Sequence, residues 1–437
     1  MTKPPRTPML ERMMVPDAAQ ALLLARRALD AGDPLRALGL IGRMDGPTGQ
    51  MLRGIAYAQL GDLELARHSL ERAAELADDA QTGARARAAL AEIALNAGDP
   101  APAAAAAAAS ARELAALGDT RNAAMQRLVQ ARAAVLLGRL GDARQVVDEV
   151  MAAGLPPDLR ALACLTQAEI AVRALSATEA STALARARHC LEEAPHPLLA
   201  RALAAVGREL SLPVARVLRA GGISSADLFA IEQVSDGQVL LVDACRRLVL
   251  GTPKGFVGAA MLPSNTNGGG QVIVQLARRP VLFALLLILA RAWPAPVDRD
   301  ELAAQAFEAR QVNPSHRARL RVEIGRLRRV LGGLPAEPVA SENGYVLQST
   351  REVVVLLPQS DDEVARVGFL LADGASWSAQ GLAEHIGTSR RTAQRALAAL
   401  VDRGAVTRTG KGKRVSYARV GGAIASRMLL LGLVPRR

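Results

Sequence analysis

The chain has 437 residues, of which 50% are hydrophobic and 22% are charged, and its formal net charge is +12. This length is enough for about two to four domains with hydrophobic cores. Cys164, Cys190 and Cys245 lack CxxC spacing, which argues against a disulfide framework or a structural zinc site and favours a reducing compartment. The most apolar stretch, Val281–Ala290, is about half as long as a membrane-spanning helix. With no signal-like run at the N-terminus, we expect a cytoplasmic protein that does not enter membranes.

The excess of basic over acidic residues is confined to the second half of the chain. Residues 1–212 contain 24 basic and 24 acidic side chains, which leaves 30 basic and 18 acidic side chains for residues 213–437. Nine of the ten aromatic residues also lie in the second half, and Tyr57 is the exception. We therefore expect two different kinds of polypeptide, of which the second has an anionic partner.

The first half predicts an array of helices. Residues 1–16 are expected to be disordered, whereas residues 17–212 are rich in Ala and Leu, which favour helix. Turn signals recur along this segment, and they are Gly32-Asp33, Gly61-Asp62, Gly98-Asp99, Gly118-Asp119 and Gly141-Asp142. This spacing is typical of helical hairpins stacked in a row.

One segment, Met51–Asp78, resembles a tetratricopeptide repeat. The positions that pack in that repeat alternate small and large residues, and here they are Gly54, Tyr57, Ala66, Leu70 and Ala73. Counting in the same way from Gly141 gives a looser set: Ala134, Leu137, Val146, Val150 and Ala153. The resemblance implies a concave surface that binds a protein or peptide; the alternative is a scaffold or oligomerisation module without a ligand.

Residues 213–350 predict a small mixed unit. Gln238–Leu250 reads as two short strands, the Gly- and Pro-rich residues 252–270 as a flexible loop, and Gln271–Leu276 as a further strand. The loop lacks the spacing of a phosphate-binding loop. Helices are expected over Arg279–Ala292 and over Asp298–Glu308, with Asp298 as the cap.

The next helix, Ser315–Leu331, carries many arginines. Leu320, Ile324, Leu327 and Leu331 share one face. The remaining circumference holds Arg317, Arg319, Arg321, Arg326, Arg328 and Arg329, opposed within the helix by Glu323 alone. Such a helix suits the major groove of DNA, where arginines meet phosphates and guanine edges.

After a β-hairpin predicted over Pro338–Leu347, residues 238–348 together resemble the OmpR/PhoB-type winged-helix domain. The features that carry the resemblance are Val322-x-Ile324-x-x-Leu327-Arg328-Arg329-x-Leu331, Gly344-Tyr345 in the hairpin and Asp298-Arg299-Asp300-Glu301-Leu302 at the second helix. The resemblance implies that Ser315–Leu331 is the recognition helix and that the hairpin around Asn343 is the wing. Gly325 within the helix and the long loop depart from the family pattern.

A second unit, residues 361–437, follows an expected linker around Pro358. Helices are predicted over Glu363–Ala372, Ser378–Ile386 and Thr388–Asp402, followed by a hairpin over Ala405–Val420. Leu382-Ala383-x-x-Ile386-Gly387 and Leu400-x-x-x-Gly404-x-Val406 resemble the winged helix-turn-helix of MarR- and DeoR-like regulators. The candidate DNA-binding residues of this unit are Ser389, Arg390, Arg391, Gln394, Arg395, Lys411, Lys413 and Arg414.

Two functions follow from these patterns. The first is a sequence-specific, double-stranded DNA-binding regulator of transcription in a bacterial cytoplasm, with the mainly α architecture of a helical-repeat array followed by two winged-helix (α+β) domains. Its array would bind a partner or form a homodimer. The second is a protein-interaction scaffold whose winged helices dock an acidic partner. We expect no enzyme, cofactor or metal, because no catalytic set, metal cluster or cofactor loop emerges from the sequence.

Overall fold

The computed structural model of the chain describes residues 17–42, 44–235, 238–252, 272–360, 362–371, 377–386, 388–409 and 415–419. Within these residues the protein is mainly helical and has three β-sheets, which confirms the predicted mainly α class. None of the helices described here is long and apolar enough to cross a membrane. The N-terminus predicted to be disordered and residues 253–270 of the predicted flexible loop lie outside the described residues.

The first half of the described chain is a row of consecutive helices. They are α1 (Ala18–Asp30), α2 (Pro34–Ile41), α3 (Pro47–Leu60), α4 (Leu63–Glu75), α5 (Ala80–Asn96), α6 (Pro100–Ala116), α7 (Thr120–Leu136), α8 (Leu140–Ala152), α9 (Pro157–Arg173), α10 (Ala177–Glu193) and α11 (Pro197–Ser211). Each helix packs against the next, and the odd-numbered helices also pack against each other in order. The odd-numbered helices therefore form a continuous inner row, which explains why α5, α7 and α9 bury residues on several faces.

The Gly-Asp pairs turn the chain by a mechanism that their chemistry explains. Gly61 ends α3 with a φ of 90°, a left-handed conformation that glycine adopts without strain. The N–H of Asp62 then donates to the carbonyl of Tyr57 at 3.0 Å, and the carboxylate of Asp62 accepts from the N–H of Leu65 at 3.0 Å, capping α4. The same arrangement recurs at Gly32-Asp33 and Gly118-Asp119.

One predicted turn is wrong. Gly141 and Asp142 lie in the first turn of α8, and the chain turns at Gly138, which has a φ of 73°. The packing pattern that the sequence analysis counted from Gly141 therefore shifts by three residues. Counted from Gly138, its five positions are all buried, and they are Ala131, Ala134, Ala143, Val147 and Val150. Ala153 of the predicted set is exposed.

All five offsets are also buried between α9 and α10, whereas around Gly61 four are buried and Tyr57 is partly buried. Around Gly61, a Cβ at Gly54 would lie 2.6 Å from the Cγ of Leu70, so only glycine fits at this helix crossing. Between α9 and α10 the turn residue is Leu175, with a φ of 59°. Because this residue is not glycine, the turn has no Gly-Asp signal in the sequence. The buried positions there are Ala168, Ala171, Ala180, Leu184 and Ala187.

A six-stranded sheet forms the centre of the second half. Its strands are β1 (Ala215–Arg219), β2 (Gly222–Ala226), β3 (Leu240–Asp243), β4 (Leu248–Gly251), β5 (Val272–Gln275) and β9 (Val353–Pro358), in the order β2-β1-β9-β3-β4-β5. Helix α12 (Leu228–Ser235) covers one face. Strands β3, β4 and β5 match the predicted strands, whereas β1, β2 and α12 are additions to the prediction.

The linker predicted around Pro358 is instead the buried strand β9. Its neighbours are β1, antiparallel, and β3, parallel. Val353, Val355 and Leu357 face the core formed with the three helices between residues 280 and 331, whereas Val354 and Leu356 face the core beneath α12. Because both faces are covered, the strand is apolar throughout and lacks the alternation by which half-buried strands are found.

The remaining elements form two small helical units. The first has α13 (Pro280–Ala292), α14 (Arg299–Phe307), α15 (Pro314–Leu331) and a sheet of β6 (Val297–Asp298), β8 (Gly344–Ser349) and β7 (Ala336–Ala340). The second has α16 (Glu363–Leu370), α17 (Ala379–Ile386), α18 (Arg390–Asp402) and the hairpin of β10 (Val406–Thr409) and β11 (Ser416–Arg419). The predicted helices of both units are present, with ends that differ by at most two residues.

Candidate nucleic-acid interface

Helix α15 is anchored at its start and along one face. The side chain of Asn313 accepts from the N–H of His316 at 3.0 Å, and the N–H of Asn313 donates to Nδ1 of His316 at 3.3 Å, which makes a reciprocal cap. Leu320, Ile324, Leu327 and Leu331 are buried, as their spacing predicts. The helix is thus fixed against the core, and its arginines lie around the remaining surface.

The chain itself engages three of the six predicted arginines of α15. Arg317 forms a two-bond ion pair with Asp300 of α14, and this pairing lowers the pKa of the Asp300 carboxyl. Arg326 donates to Glu323 at 2.9 Å. Arg328 donates to the carbonyl of Pro338 on β7 at 2.7 Å and lies 3.8 Å from a Glu337 oxygen (Arg328 Nε to Glu337 Oε1). Glu323 is the one opposing acid within the helix, and neighbouring elements supply two more, Asp300 and Glu337.

The other three arginines are exposed and have no carboxylate within 4 Å in the described part of the chain. They are Arg319, Arg321 and Arg329. The guanidinium carbon of Arg319 lies 4.4 Å from the ring centroid of Phe307, a cation–π contact that joins this side chain to the end of α14. Three of the six predicted arginines therefore carry the positive charge of α15 that has no acidic partner among the described residues.

Small residues occupy the face of α15 that lies opposite its buried leucines. Ser315, Ala318, Val322 and Gly325 share this face by their helical spacing, and the larger Arg329 lies at its C-terminal end. Val322 is 55% exposed, and no heavy atom lies within 4 Å of a Cβ built on Gly325. Packing within the chain does not require glycine there, and its lack of a side chain leaves room for a molecule that approaches from outside.

The hairpin after α15 is held in place by a close backbone contact. Strands β7 and β8 pair from Ala336↔Ser349 to Ala340↔Tyr345, as the Asn343-Gly344 signal predicts. A Cβ on Gly344 would lie 1.8 Å from the carbonyl oxygen of Val297. The glycine is thus required by the approach of β6, which pairs with β8 here, and this strand was not predicted.

Helix α18 presents the other predicted cluster. Its cap is Ser389, whose hydroxyl accepts from the N–H of Thr392 at 3.1 Å. Ala393, Ala396, Leu397 and Leu400 are buried. The residues predicted to read DNA, Arg390, Arg391, Gln394 and Arg395, are all exposed, and none of these arginines has a carboxylate within 4 Å among the residues described.

The predicted residues of the second wing cannot be placed in this way. Lys411, Lys413 and Arg414 lie outside the described residues. The strands that carry this segment are described, and β10 and β11 pair from Val406↔Arg419 to Thr409↔Ser416. Trp377 joins the hairpin by reciprocal backbone hydrogen bonds with Tyr417 at 2.8 and 2.7 Å.

The arginines of the helical array contrast with those of α18. Across neighbouring helices of the array, ion pairs join Arg85 to Asp119, Arg87 to Glu113, Arg121 to Asp158, Arg127 to Glu149, Arg144 to Glu179 and Arg160 to Glu193. Acidic and basic side chains of the first half, which are equal in number, thus form ion pairs between helices of the array. A groove of about 520 Å³ between α6, α7 and α8 is lined largely by alanines, with Arg127 and Glu149 among its lining residues.

Sequence reasoning missed one basic residue near the candidate interface. Arg279, at the N-cap of α13, lines a cleft of about 480 Å³ together with Arg326 and Arg329. The pair Arg278-Arg279 directly before Pro280 is a visible signal. Its proximity to α15 could not be deduced from the sequence, because the two segments are distant in the chain.

Comparisons with models of known protein families, with curated proteins and with solved structures gave no significant match. We therefore infer the function from the residues of this chain and from their geometry.

Proposed function

We propose that this protein is a sequence-specific regulator of transcription that binds double-stranded DNA through two winged-helix units. Residues 238–348 are the OmpR/PhoB-like unit of this proposal, and residues 361–437 are the MarR- or DeoR-like unit. The observation that carries the proposal is the exposed cluster of Arg390, Arg391 and Arg395 at the start of α18, which lacks acidic partners among the described residues. Unpaired positive charge at the start of a surface helix favours an anionic ligand.

In this proposal α18 reads base edges in the major groove. Arginine donates two hydrogen bonds to O6 and N7 of guanine, and glutamine makes two with adenine. Arg390, Arg391, Gln394 and Arg395 provide both chemistries within the first two turns. Lys411, Lys413 and Arg414 of the hairpin would bind backbone phosphates, which position a reader without specifying sequence.

Helix α15 would enter a second stretch of major groove. From Ser315 to Gly325 its outward face is made of small residues, so this part of the helix backbone can approach the bases closely. The exposed methyl groups of Val322 suit contact with the C5-methyl of thymine. Arg319, Arg321 and Arg329 would bind phosphates on either side, and most of the affinity would depend on salt.

The helical array would serve as a tetratricopeptide-like domain that binds a protein or peptide, or that joins two copies of the chain. The buried small and large positions repeated in successive helix pairs support this assignment. Two unlike readers in one chain would then recognise composite sites, or repeated sites when two copies associate.

A mobility-shift assay with genomic fragments tests the proposal. The protein should bind duplex DNA at low salt, retain selected fragments at higher salt and release the others, because base contacts are less sensitive to salt than phosphate contacts. Absence of binding at low salt would contradict the proposal.

A second candidate function is a scaffold that docks an acidic protein. It is favoured by the ion pairs that Arg317, Arg326 and Arg328 form within the chain. In these pairs the arginines of α15 bind protein carboxylates, which is the chemistry that an acidic protein would offer. Reversing the charge of Arg390, Arg391 and Arg395 separates the two functions. A DNA-binding regulator loses duplex binding, whereas a scaffold loses its protein partner and any DNA binding is unchanged.

A further inference from the structure

We infer that the cleft between the start of α13 and the second half of α15 binds a backbone phosphodiester of duplex DNA, through Arg279, Arg326 and Arg329. This inference rests on the proposed function and adds to it a phosphate site and one new residue, Arg279. The cleft has a volume of about 480 Å³ and is open to solvent on the surface that also carries the exposed arginines of α15.

Positive charge converges on this cleft from two separate elements. Arg279 is the N-cap residue of α13, and Arg326 and Arg329 lie one turn apart on α15. Glu323 is the one acidic residue among the described lining residues, and it accepts from Arg326 at 2.9 Å. Arg279 and Arg329 have no carboxylate within 4 Å among the residues described. Two guanidinium groups thus remain uncompensated, and a bound anion would relieve their mutual repulsion.

The other lining residues suit a nucleotide backbone rather than an isolated small anion. Pro280, Val281, Leu282 and Val330 form apolar walls beside the arginines. A deoxyribose can lie against such walls while guanidinium forks donate paired hydrogen bonds to the phosphate oxygens.

The cleft also lies where a DNA strand would pass. A helix of about 10–12 Å diameter fills a major groove that is about 12 Å wide, so one phosphate backbone runs along each side of the helix. Arg329 lies on the outward face of α15 with Ala318 and Val322, and Arg326 lies at the side of that face. The strand on the side of Arg326 would therefore cross the cleft.

Salt dependence of DNA binding tests the site directly. The full chain is titrated against a fluorescein-labelled duplex of mixed sequence, about three helical turns long, at a series of KCl concentrations. We expect Arg279→Ala and Arg329→Ala each to reduce the magnitude of the negative slope of log K against log[salt] by about 0.9, and to weaken binding roughly five- to tenfold near 0.1 M salt. The matched control is Arg291→Ala, an exposed arginine in the last turn of the same helix, about 18 Å from Arg279.

A further variant gives the opposite sign. Glu323→Gln removes the acid that engages Arg326, so it should make the salt dependence of binding steeper and tighten binding. All variants are compared by circular dichroism to confirm that they fold, which the exposure of Arg279 and Arg329 leads us to expect.

The outcomes separate this inference from the proposed function. If the wild-type chain binds no duplex at low salt, the proposed function is wrong and the inference fails with it. If the wild type binds but Arg279→Ala and Arg329→Ala behave like Arg291→Ala, the cleft is not a phosphate site and the proposed function stands. Tighter binding of fluorescein-labelled poly-glutamate than of duplex, lost in Arg279→Ala, would assign the cleft to an acidic protein and overturn the inference.

Discussion

Glu232 of α12 caps a helix that belongs to the array. Its carboxylate accepts from the backbone N–H and from the hydroxyl of Thr178, both at 2.8 Å, and from the hydroxyl of Ser176 at 3.0 Å. Ser176 is the N-cap of α10, and its own side chain accepts no hydrogen bond from the backbone of the first helical turn. A residue from the second half thus supplies the negative charge that a helix N-terminus favours, and Leu228 of the same helix is buried in the array core.

Replacing Glu232 with Ala should loosen the connection between the two halves. Loss of an N-cap costs about 0.5–2 kcal/mol, and this loss falls on the contact between α10 and α12. Trp293 and Trp377 both lie in the second half, so tryptophan fluorescence follows that half, whereas far-ultraviolet circular dichroism follows mainly the array. In urea, the two transitions should lie further apart in Glu232→Ala than in the wild type.

Gln233→Ala is the matched control, because Gln233 is the exposed neighbour on the same helix. If the fluorescence and circular dichroism transitions lie equally far apart in Glu232→Ala and in Gln233→Ala, then Glu232 does not couple the two halves.

A buried carboxyl makes the array sensitive to pH. Glu92 of α5 is 2% exposed, and burial raises its pKa to about 8, although the nearby Arg132 and the hydrogen bond from Gln126 at 3.1 Å act in the opposite direction. The folded state therefore keeps a proton that the unfolded chain releases above its ordinary pKa of 4.5. Stability from this group is complete below pH 4.5 and is lost as the pH rises to about 8, by an amount of the order of 5 kcal/mol.

Glu92→Gln should remove this pH dependence, because the amide is neutral at every pH and has a similar shape. We expect the free energy of unfolding, measured in urea at pH 6 and pH 8.5, to fall less with pH in Glu92→Gln than in the wild type. Glu113→Gln, which alters the exposed pair with Arg87, is the control. A wild-type dependence retained in Glu92→Gln would contradict this assignment.

The outward face of α15 can be tested by adding a single methyl group. Gly325→Ala should stabilise the fold by about 1 kcal/mol, since alanine is the better helix former and the added Cβ meets no atom within 4 Å. If the bases approach this face closely, the same methyl group should weaken duplex binding by about tenfold, or ~1.4 kcal/mol. Thermal unfolding and fluorescence anisotropy measure the two effects on the same samples.

Gly39→Ala provides the comparison, because Gly39 is an exposed glycine in α2 with equal space around it. It should raise the melting temperature and leave DNA binding unchanged. Equal DNA binding by Gly325→Ala and the wild type would exclude a close approach at that face.

The sequence predicted the elements that have a periodic or chemical signal. The four apolar positions of α15, from Leu320 to Leu331, are buried as their spacing requires, and Asp298 caps the helix that follows it. The Gly-Asp turns follow for the same reason, since glycine adopts positive φ and aspartate caps helices. The turn predicted at Gly141-Asp142 is wrong because a Gly-Asp dipeptide is also compatible with the first turn of a helix.

Other features could not be read from local sequence. Strand β9 is uniformly apolar because it lies between two cores, and Pro358 at its end resembles a linker signal. Leu175 adopts the conformation that glycine adopts elsewhere in the array. The pairing of Arg317 with Asp300 and the cleft at Arg279 depend on how distant segments meet, and that information appears only in the folded chain.

Selection of duplexes from a random-sequence pool tests the central claim most directly. The full chain should enrich duplexes that carry two separate sequence elements, one for α15 and one for α18. Arg395→Ala should relax the preference at one element and leave the other intact, because a single well-made base contact discriminates by about 1–3 kcal/mol. A pool that shows no enrichment, or an enrichment that is identical for the wild type and Arg395→Ala, would contradict DNA reading by α18.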